Sequence, residues 1–204
     1  MTLTFYTNPM SRGRIARWML EEVDAEYETV VLDYAGAMKA PAYLAINPMG
    51  KVPAIVHDGH VVTEGAAICA YLADTYSEMG LTPTAAERAD YYRWLFFAAG
   101  PVEAAVTNKA LGFDVPADRG AMAGYGSYDL TVDTLERAVA AHEWIAGDRF
   151  TAADVYVGAQ VMWGLQFQSL PTRPAFEAYG ERLGARDAYK RATAKDDALM
   201  PAQG

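Results

Sequence analysis

The chain has 204 residues, 52% of them apolar, with 26 acidic against 17 basic side chains and a formal charge of −9. That is enough apolar material for one large domain or two modest ones with a sizeable core. The acidic balance, with no basic run, excludes nucleic acid as the natural partner, because phosphate binding needs a basic face.

The opening residues MTLTFYTNPMSRGR hold no apolar stretch of signal-peptide length. No later run reaches membrane-spanning length, so no membrane partner and a cytoplasmic location are expected. Leu3 to Thr7 (LTFYT) reads as a short strand, broken by Asn8-Pro9-Met10. From Ser11 the pattern becomes helical, with Ile15, Trp18, Met19 and Val23 spaced along one face. EYETVVLD reads as a second strand. After a polar, alanine-rich stretch come two more strands, Val52 to His57 and His60 to Thr63. Asp58-Gly59 between them tolerates the positive φ of a two-residue hairpin turn. A helix follows from about Gly65 to Tyr76, with Ile68, Leu72 and Tyr76 on one face. The order is β-α-β-α-β-β-α.

Past YSEMGLTPTAAER the texture changes. Pro83 and its small polar neighbours mark a linker, and Thr84 is placed to cap the next helix. From about Ala85 onward the patterns are helical only. Tyr91, Trp94, Leu95, Ala98 and Val102 line one face, with a kink expected at Pro101. Tyr128, Val132, Leu135, Val139 and His142 line the next, which makes His142 a core group. RFTAADVYVG carries the clearest helix start. Thr151 and Asp154 form a capping box, and Phe150 and Val155 hold the two positions of a hydrophobic staple. Asp154 is therefore structural. An α/β region followed by an all-α region suggests two domains.

Three places carry candidate chemistry. Val52-Pro53 opens a strand where a proline has no N–H to give the ladder, so Val52 can offer its own backbone groups to an extended peptide. An ordinary edge-strand proline would look the same. Glu64-Gly65 stands where the hairpin ends and a helix begins. Its N–H groups and dipole attract a carboxylate, while Glu64 can pair with an ammonium. A single amino-acid head group carries both charges, although an acid here also suits the helix dipole alone. Ser11 stands at a strand-to-helix junction, either as a simple cap or as a hydroxyl that donates to a thiolate.

Other reactive residue types read as bland. Cys69, the single cysteine, falls mid-helix as a small core residue and excludes an internal disulfide. It fits a reducing compartment. His57 and His60 flank the hairpin turn, and two histidines make no metal site without a third ligand. Arg12, Arg14 and Arg17 read as a solvated face, a dimer contact or anion steering.

The segments NPMSRGRIARWMLEE, NPMGKVPAI with its hairpin, TEGAAICAYLAD and GDRFTAADV, in this order over nearly the whole chain, resemble the cytosolic glutathione transferases, with SRGR like the bacterial serine-type members. The resemblance implies an N-terminal thioredoxin-like domain over residues 1–78. An all-helical C-terminal domain would follow over 84–204 and form a wall of the electrophile site. It also implies a homodimer, and reduced glutathione as cosubstrate with no metal or other cofactor. Carried over residue by residue, Val52 beside a cis-Pro53 would bond the cysteinyl backbone of glutathione. Glu64 would hold the γ-glutamyl ammonium and Gly65 its carboxylate. Lys51 lies in the loop that meets the glycyl carboxylate, and Ser11 is the catalytic hydroxyl, with Tyr6 second.

Two departures stand out. Gly65 replaces the usual Ser or Thr, a loss of about 1 kcal/mol of hydrogen bonding. Met10 stands where some bacterial members carry Cys or Thr. The expected activity is attack of the glutathione thiolate on a small, mostly apolar electrophile, with Tyr92 and Phe96 as candidates for the pocket wall. The alternatives are a non-catalytic module of the same fold used for binding or assembly, or a glutathione-dependent isomerase or lyase of narrow substrate range.

Overall fold

The structure is a computed structural model that describes residues 2–200. It divides into two compact units, the first made of the described parts of Met1–Gly80 and Ala185–Gly204, the second of Leu81–Gly184.

The first unit is built on four strands, β1 (Leu3–Thr7), β2 (Glu28–Val31), β3 (Ala54–His57) and β4 (His60–Thr63), in the order β2-β1-β3-β4. β1 runs parallel to β2 and antiparallel to β3, and β3 and β4 form the hairpin expected at Asp58-Gly59. β3 begins two residues later than the sequence reading placed it, because Pro53 has no N–H to give the ladder. The pleat sends Leu3, Phe5 and Thr7 to one face and Tyr6 to the other. On the Phe5 face lie α1 (Gly13–Glu22) and α3 (Gly65–Thr75), with Ile15, Trp18, Met19, Ile68 and Leu72 buried. Each such side chain contributes about 1.5–3 kcal/mol by leaving water. Cys69 is buried as expected, and burial pushes its thiol up. The Tyr6 face is covered by a short 3-10 turn (Ala37–Lys39) and α2 (Pro41–Leu44), through a cluster of Leu32, Met38, Tyr43 and Ala54.

The second unit holds α4 (Arg88–Phe97), α5 (Glu103–Ala110), α6 (Tyr128–Ala141), α7 (Ala152–Gln166) and α8 (Pro174–Gly184). The interruption expected at Pro101 is a π-helical turn over Ala98–Val102, a widened turn that accommodates a residue with no N–H to donate. Tyr91, Leu95, Ala98 and Val102 are buried, as are Val132, Leu135 and Val139. His142 is not a core group. Helix α6 ends at Ala141, so the helical period does not reach His142, which is exposed at the C-cap. The capping box at Thr151 is present. Asp154 is fully buried, and its carboxylate accepts from the Thr151 N–H (2.8 Å) and hydroxyl (3.0 Å), the Ile145 N–H (2.7 Å) and the Tyr179 hydroxyl (2.8 Å).

The last helix, α9 (Asp187–Asp197), packs along α1 and so folds with the first unit rather than with the helices that precede it in the chain. Trp18 and Tyr189 meet edge to face at 5.0 Å. Arg17 and Asp196 form a buried ion pair at 2.7 Å, Glu21 accepts from Lys195 at 2.6 Å, and Glu22 accepts from Arg186 at 2.7 Å. Periodicity identifies such a helix but does not name its partner.

This packing has two measurable consequences. Asp154→Ala leaves four buried donors unpaired and is expected to cost at least about 3 kcal/mol in urea unfolding. Glu21 is pushed up by burial, but hydrogen bonds from Lys195 and Tyr27 outweigh that and hold it below its ordinary 4.5. A depressed carboxylate contributes stability that is present above its unfolded value and lost as pH falls through its folded value. Urea midpoints measured downward from about pH 6 should therefore drop below about pH 4.5, and Glu21→Gln should flatten that limb.

Candidate active site

Sheet register gathers the candidate residues. Tyr6 pairs with Ala54 across β1 and β3, and Ala54 pairs with Thr63 across β3 and β4. β1 and β4 end near this row and β3 begins at it. Within a few residues beyond it, at one end of the sheet, lie Asn8–Ser11, Val52-Pro53 and Glu64-Gly65. Segments far apart in sequence are thus brought to one sheet end.

Ser11 precedes α1, which begins at Gly13 rather than at Ser11. Its hydroxyl donates to the Asn8 carbonyl at 2.7 Å and accepts from the Gly13 N–H at 2.9 Å. The loop is fixed by Asn8, which sequence reasoning passed over. The Asn8 amide donates to the Leu32 carbonyl at 2.8 Å, and its side-chain oxygen accepts from the Met10 N–H at 2.9 Å. The Asn-Pro pair was the available signal, since asparagine favours such local turns. Thr7 lies buried against Gly13, where a Cβ would collide with its hydroxyl. Tyr6 stands on the opposite face, its ring 5.5 Å from that of Tyr43. The Arg17 guanidinium lies over Phe5 at 5.1 Å, which places α1 on the Phe5 face.

The Val52-Pro53 peptide is cis. The Val52 side chain packs on the Tyr43 cluster. Its backbone N–H and carbonyl have no hydrogen-bonding partner among the described residues. Lys51 is exposed, and its carbonyl accepts from the Tyr43 hydroxyl at 2.6 Å and the Asn47 amide at 2.8 Å. Burial pushes Tyr43 up to about 12, so it remains a donor. Lys39, not singled out by sequence, donates to the Gly50 carbonyl at 2.6 Å and brings a second cation to this turn. No periodicity marks it, because it closes a three-residue 3-10 turn.

Glu64 is exposed and holds φ 68°, ψ 119°, a region that disfavours residues with a Cβ. Helix α3 starts directly after it with no side-chain cap, so its leading N–H groups are available to an anion. Of the three arginines, Arg17 is buried in its pair with Asp196 and Arg14 is paired with Asp197, so neither is a solvated face. His57 is buried with Nδ1 3.0 Å from the Tyr71 hydroxyl, while His60 opposite it is exposed. Among the described residues no group of three or more His, Cys, Asp or Glu is placed to hold a metal.

The mixed sheet, the two helices on one face and the cis-proline before β3 define a thioredoxin-like domain. Residues 1–74 match the family model described as "Glutathione S-transferase, N-terminal domain". Glutathione S-transferase GST-4.5 of Xanthomonas campestris pv. campestris is 33% identical over 187 residues, covering 85% of this chain and 90% of that protein. A glutathione transferase from Methylococcus capsulatus has the same fold at TM-score 0.78 and 28% identity, covering 97% of this chain and all of that one (100%). The theta class glutathione S-transferase from Xanthomonas axonopodis pv. citri, solved with glutathione bound, matches at TM-score 0.75 and 27% identity, covering 94% of this chain and 97% of that one. The chain belongs to the glutathione S-transferase family, and the activity that goes with it is transferase chemistry on the glutathione thiol.

The strained backbone at Glu64 is itself measurable. A conformation of this kind costs about 1–3 kcal/mol, partly offset by the greater freedom of an unfolded glycine. Glu64→Gly is therefore expected to raise the unfolding free energy by up to about 1 kcal/mol in chemical denaturation.

Proposed function

We propose that glutathione lies extended across the end of the sheet, with its cysteinyl backbone paired to Val52 beside Pro53. The observation that carries this reading is the coincidence of three unfilled features at one sheet end. Among the described residues these are the unpartnered Val52 backbone, the unpaired Glu64 carboxylate and the uncapped start of α3. A tripeptide with an amino-acid head group complements all three. Glu64 takes the γ-glutamyl ammonium. The Gly65 N–H takes the carboxylate beside it, with the helix dipole in support. Lys51 serves the glycyl carboxylate, and Lys39 supplies further positive charge at the same turn.

Ser11 is then the donor to sulfur. It lies just before α1 on the Phe5 face, while Tyr6 stays on the Tyr43 side of the sheet, which supports Ser11 over Tyr6. A free thiol titrates near pH 8.5, and lowering that by two units takes roughly 2.7 kcal/mol. A hydroxyl hydrogen bond and the N-terminus of α1 together are of that size. Ser11 donates a hydrogen bond and is not itself acylated. The thiol proton passes to solvent, the thiolate forms a C–S bond to an electrophilic carbon of a mostly apolar substrate, and the displaced group leaves with the electron pair of its bond to that carbon. Tyr92 and Phe96 are exposed on α4 as aromatic surface of the second unit. A cytoplasmic homodimer is the assembly we propose. No helix of the described residues is long and apolar enough to cross a membrane.

One observation favours a second reading. The Ser11 hydroxyl already donates to Asn8, and Gly65 offers no side-chain hydroxyl, so a module that binds glutathione without ionising it fits the same geometry. Titration of reduced glutathione, followed by the ultraviolet absorbance of the thiolate, separates the two. Wild type is expected to bind and ionise the thiol below its free value. Ser11→Ala should bind within about twofold but lose most of the ionisation. Binding without ionisation in wild type would establish the module instead. Glu64→Gln should weaken binding by about tenfold or more, the scale of a charge-assisted hydrogen bond.

A further inference from the structure

We infer that Arg14 and Asp197 form a positioning relay, through which the last helix of the chain sets the loop that carries Ser11. The inference rests on the role proposed for Ser11 and extends it to a residue at the other end of the sequence.

Arg14 lies in the first turn of α1, and its guanidinium faces two ways. Its Nε donates to the Pro9 carbonyl at 2.6 Å, inside the Asn8–Ser11 loop. Its Nη2 donates to Asp197 Oδ1 at 2.8 Å, at the end of α9. A guanidinium is planar, with its donors in a fixed fork, so the carboxylate bound at Nη2 fixes the direction in which Nε–H meets the Pro9 carbonyl. A lysine, a point charge on a flexible stem, cannot hold both contacts in a set geometry.

The Asp197 side chain is exposed, but its backbone is anchored through its neighbours. Asp196 is buried in its pair with Arg17, and Lys195 and Arg186 grip Glu21 and Glu22 of α1. On the loop side, the other contacts hold Asn8, Met10 and Ser11. Asn8 donates to the Leu32 carbonyl, Tyr34 donates to the Met10 carbonyl at 3.1 Å, and Ser11 bonds Asn8. Arg14 holds the remaining residue of the loop, Pro9, which stands between Asn8 and Met10. The loop geometry determines where the Ser11 hydroxyl stands when it turns from the Asn8 carbonyl toward a sulfur anion.

The Arg14–Asp197 pair is partly exposed, so its effect lies in orientation rather than in global stability. Neither residue touches the thiol in this scheme. Both act through the loop.

The test compares wild type, Asp197→Asn, Asp197→Glu, Arg14→Lys and Ser11→Ala. Three properties are read: the pH midpoint of bound-glutathione thiol ionisation, kcat against KM for glutathione, and thermal stability. Asp197→Asn is expected to move the ionisation midpoint upward and lower kcat about two- to fivefold, the scale of a part-exposed ion pair, with KM nearly unchanged. Arg14→Lys should lose more, about tenfold, because it also gives up the contact to Pro9. Asp197→Glu should restore most of the loss. If Asp197→Asn keeps the wild-type midpoint while Ser11→Ala shifts it, the relay is refuted and the Ser11 reading stands. The relay is refuted equally if Asp197→Asn lowers thermal stability alone. If Ser11→Ala leaves the midpoint in place, the reading of Ser11 falls and the relay falls with it.

Discussion

The register that sets Tyr6 against Ala54 and Ala54 against Thr63 is the constraint on which the candidate site depends. Side chains alternate along a strand, so a slip of one residue would turn Phe5 out of the core and Tyr6 into it. The buried Phe5 face therefore locks the register. The locked register in turn delivers Asn8–Ser11, Val52-Pro53 and Glu64-Gly65 to one end of the sheet. Apolar packing on one face thus determines where polar chemistry can occur at the edge.

At that edge the fold leaves things undone. Backbone groups inside proteins are ordinarily paired. Here, among the described residues, the Val52 groups are open, α3 begins without a side-chain cap, and Glu64 is held at positive φ with its carboxylate unpaired. Strain and unmet hydrogen bonds of this kind persist where surrounding packing overrides them, and they cluster at sites of function. In the second unit the opposite holds. Asp154 collects four donors and Thr151 closes its box, a buried polar group satisfied from several sides. One carboxylate is fully engaged and the other is free, which is why only the second is read as a ligand-binding group.

The packing of α9 on α1 adds a long-range element. Its buried pair, Arg17 and Asp196, is costly to desolvate and would contribute little net stability if judged alone. What it contributes is a fixed register between two helices distant in sequence, so that Lys195 and Asp197 meet Glu21 and Arg14. The helix that bears the proposed sulfur donor at its start is thereby held along its length by the end of the chain.

Local physics was readable directly from the sequence. Asp58-Gly59 fixes a hairpin because both positions tolerate positive φ, Pro53 cannot pair, and Thr151 with Asp154 caps α7. The candidate site residues were proposed only because short motifs around them matched a known pattern of strand, turn and helix. Other features had no such signal. Asn8 and Lys39 act through contacts with Leu32 and Gly50, and no spacing along the chain foretells either. The outcome at His142 depended on one residue of helix length. The sequence by itself determined which segments become strands and helices, since those choices turn on neighbouring residues and their period. Only the tertiary structure decided which segments meet, including that α9 returns to α1, because helical period shows that a face is apolar but not what will cover it.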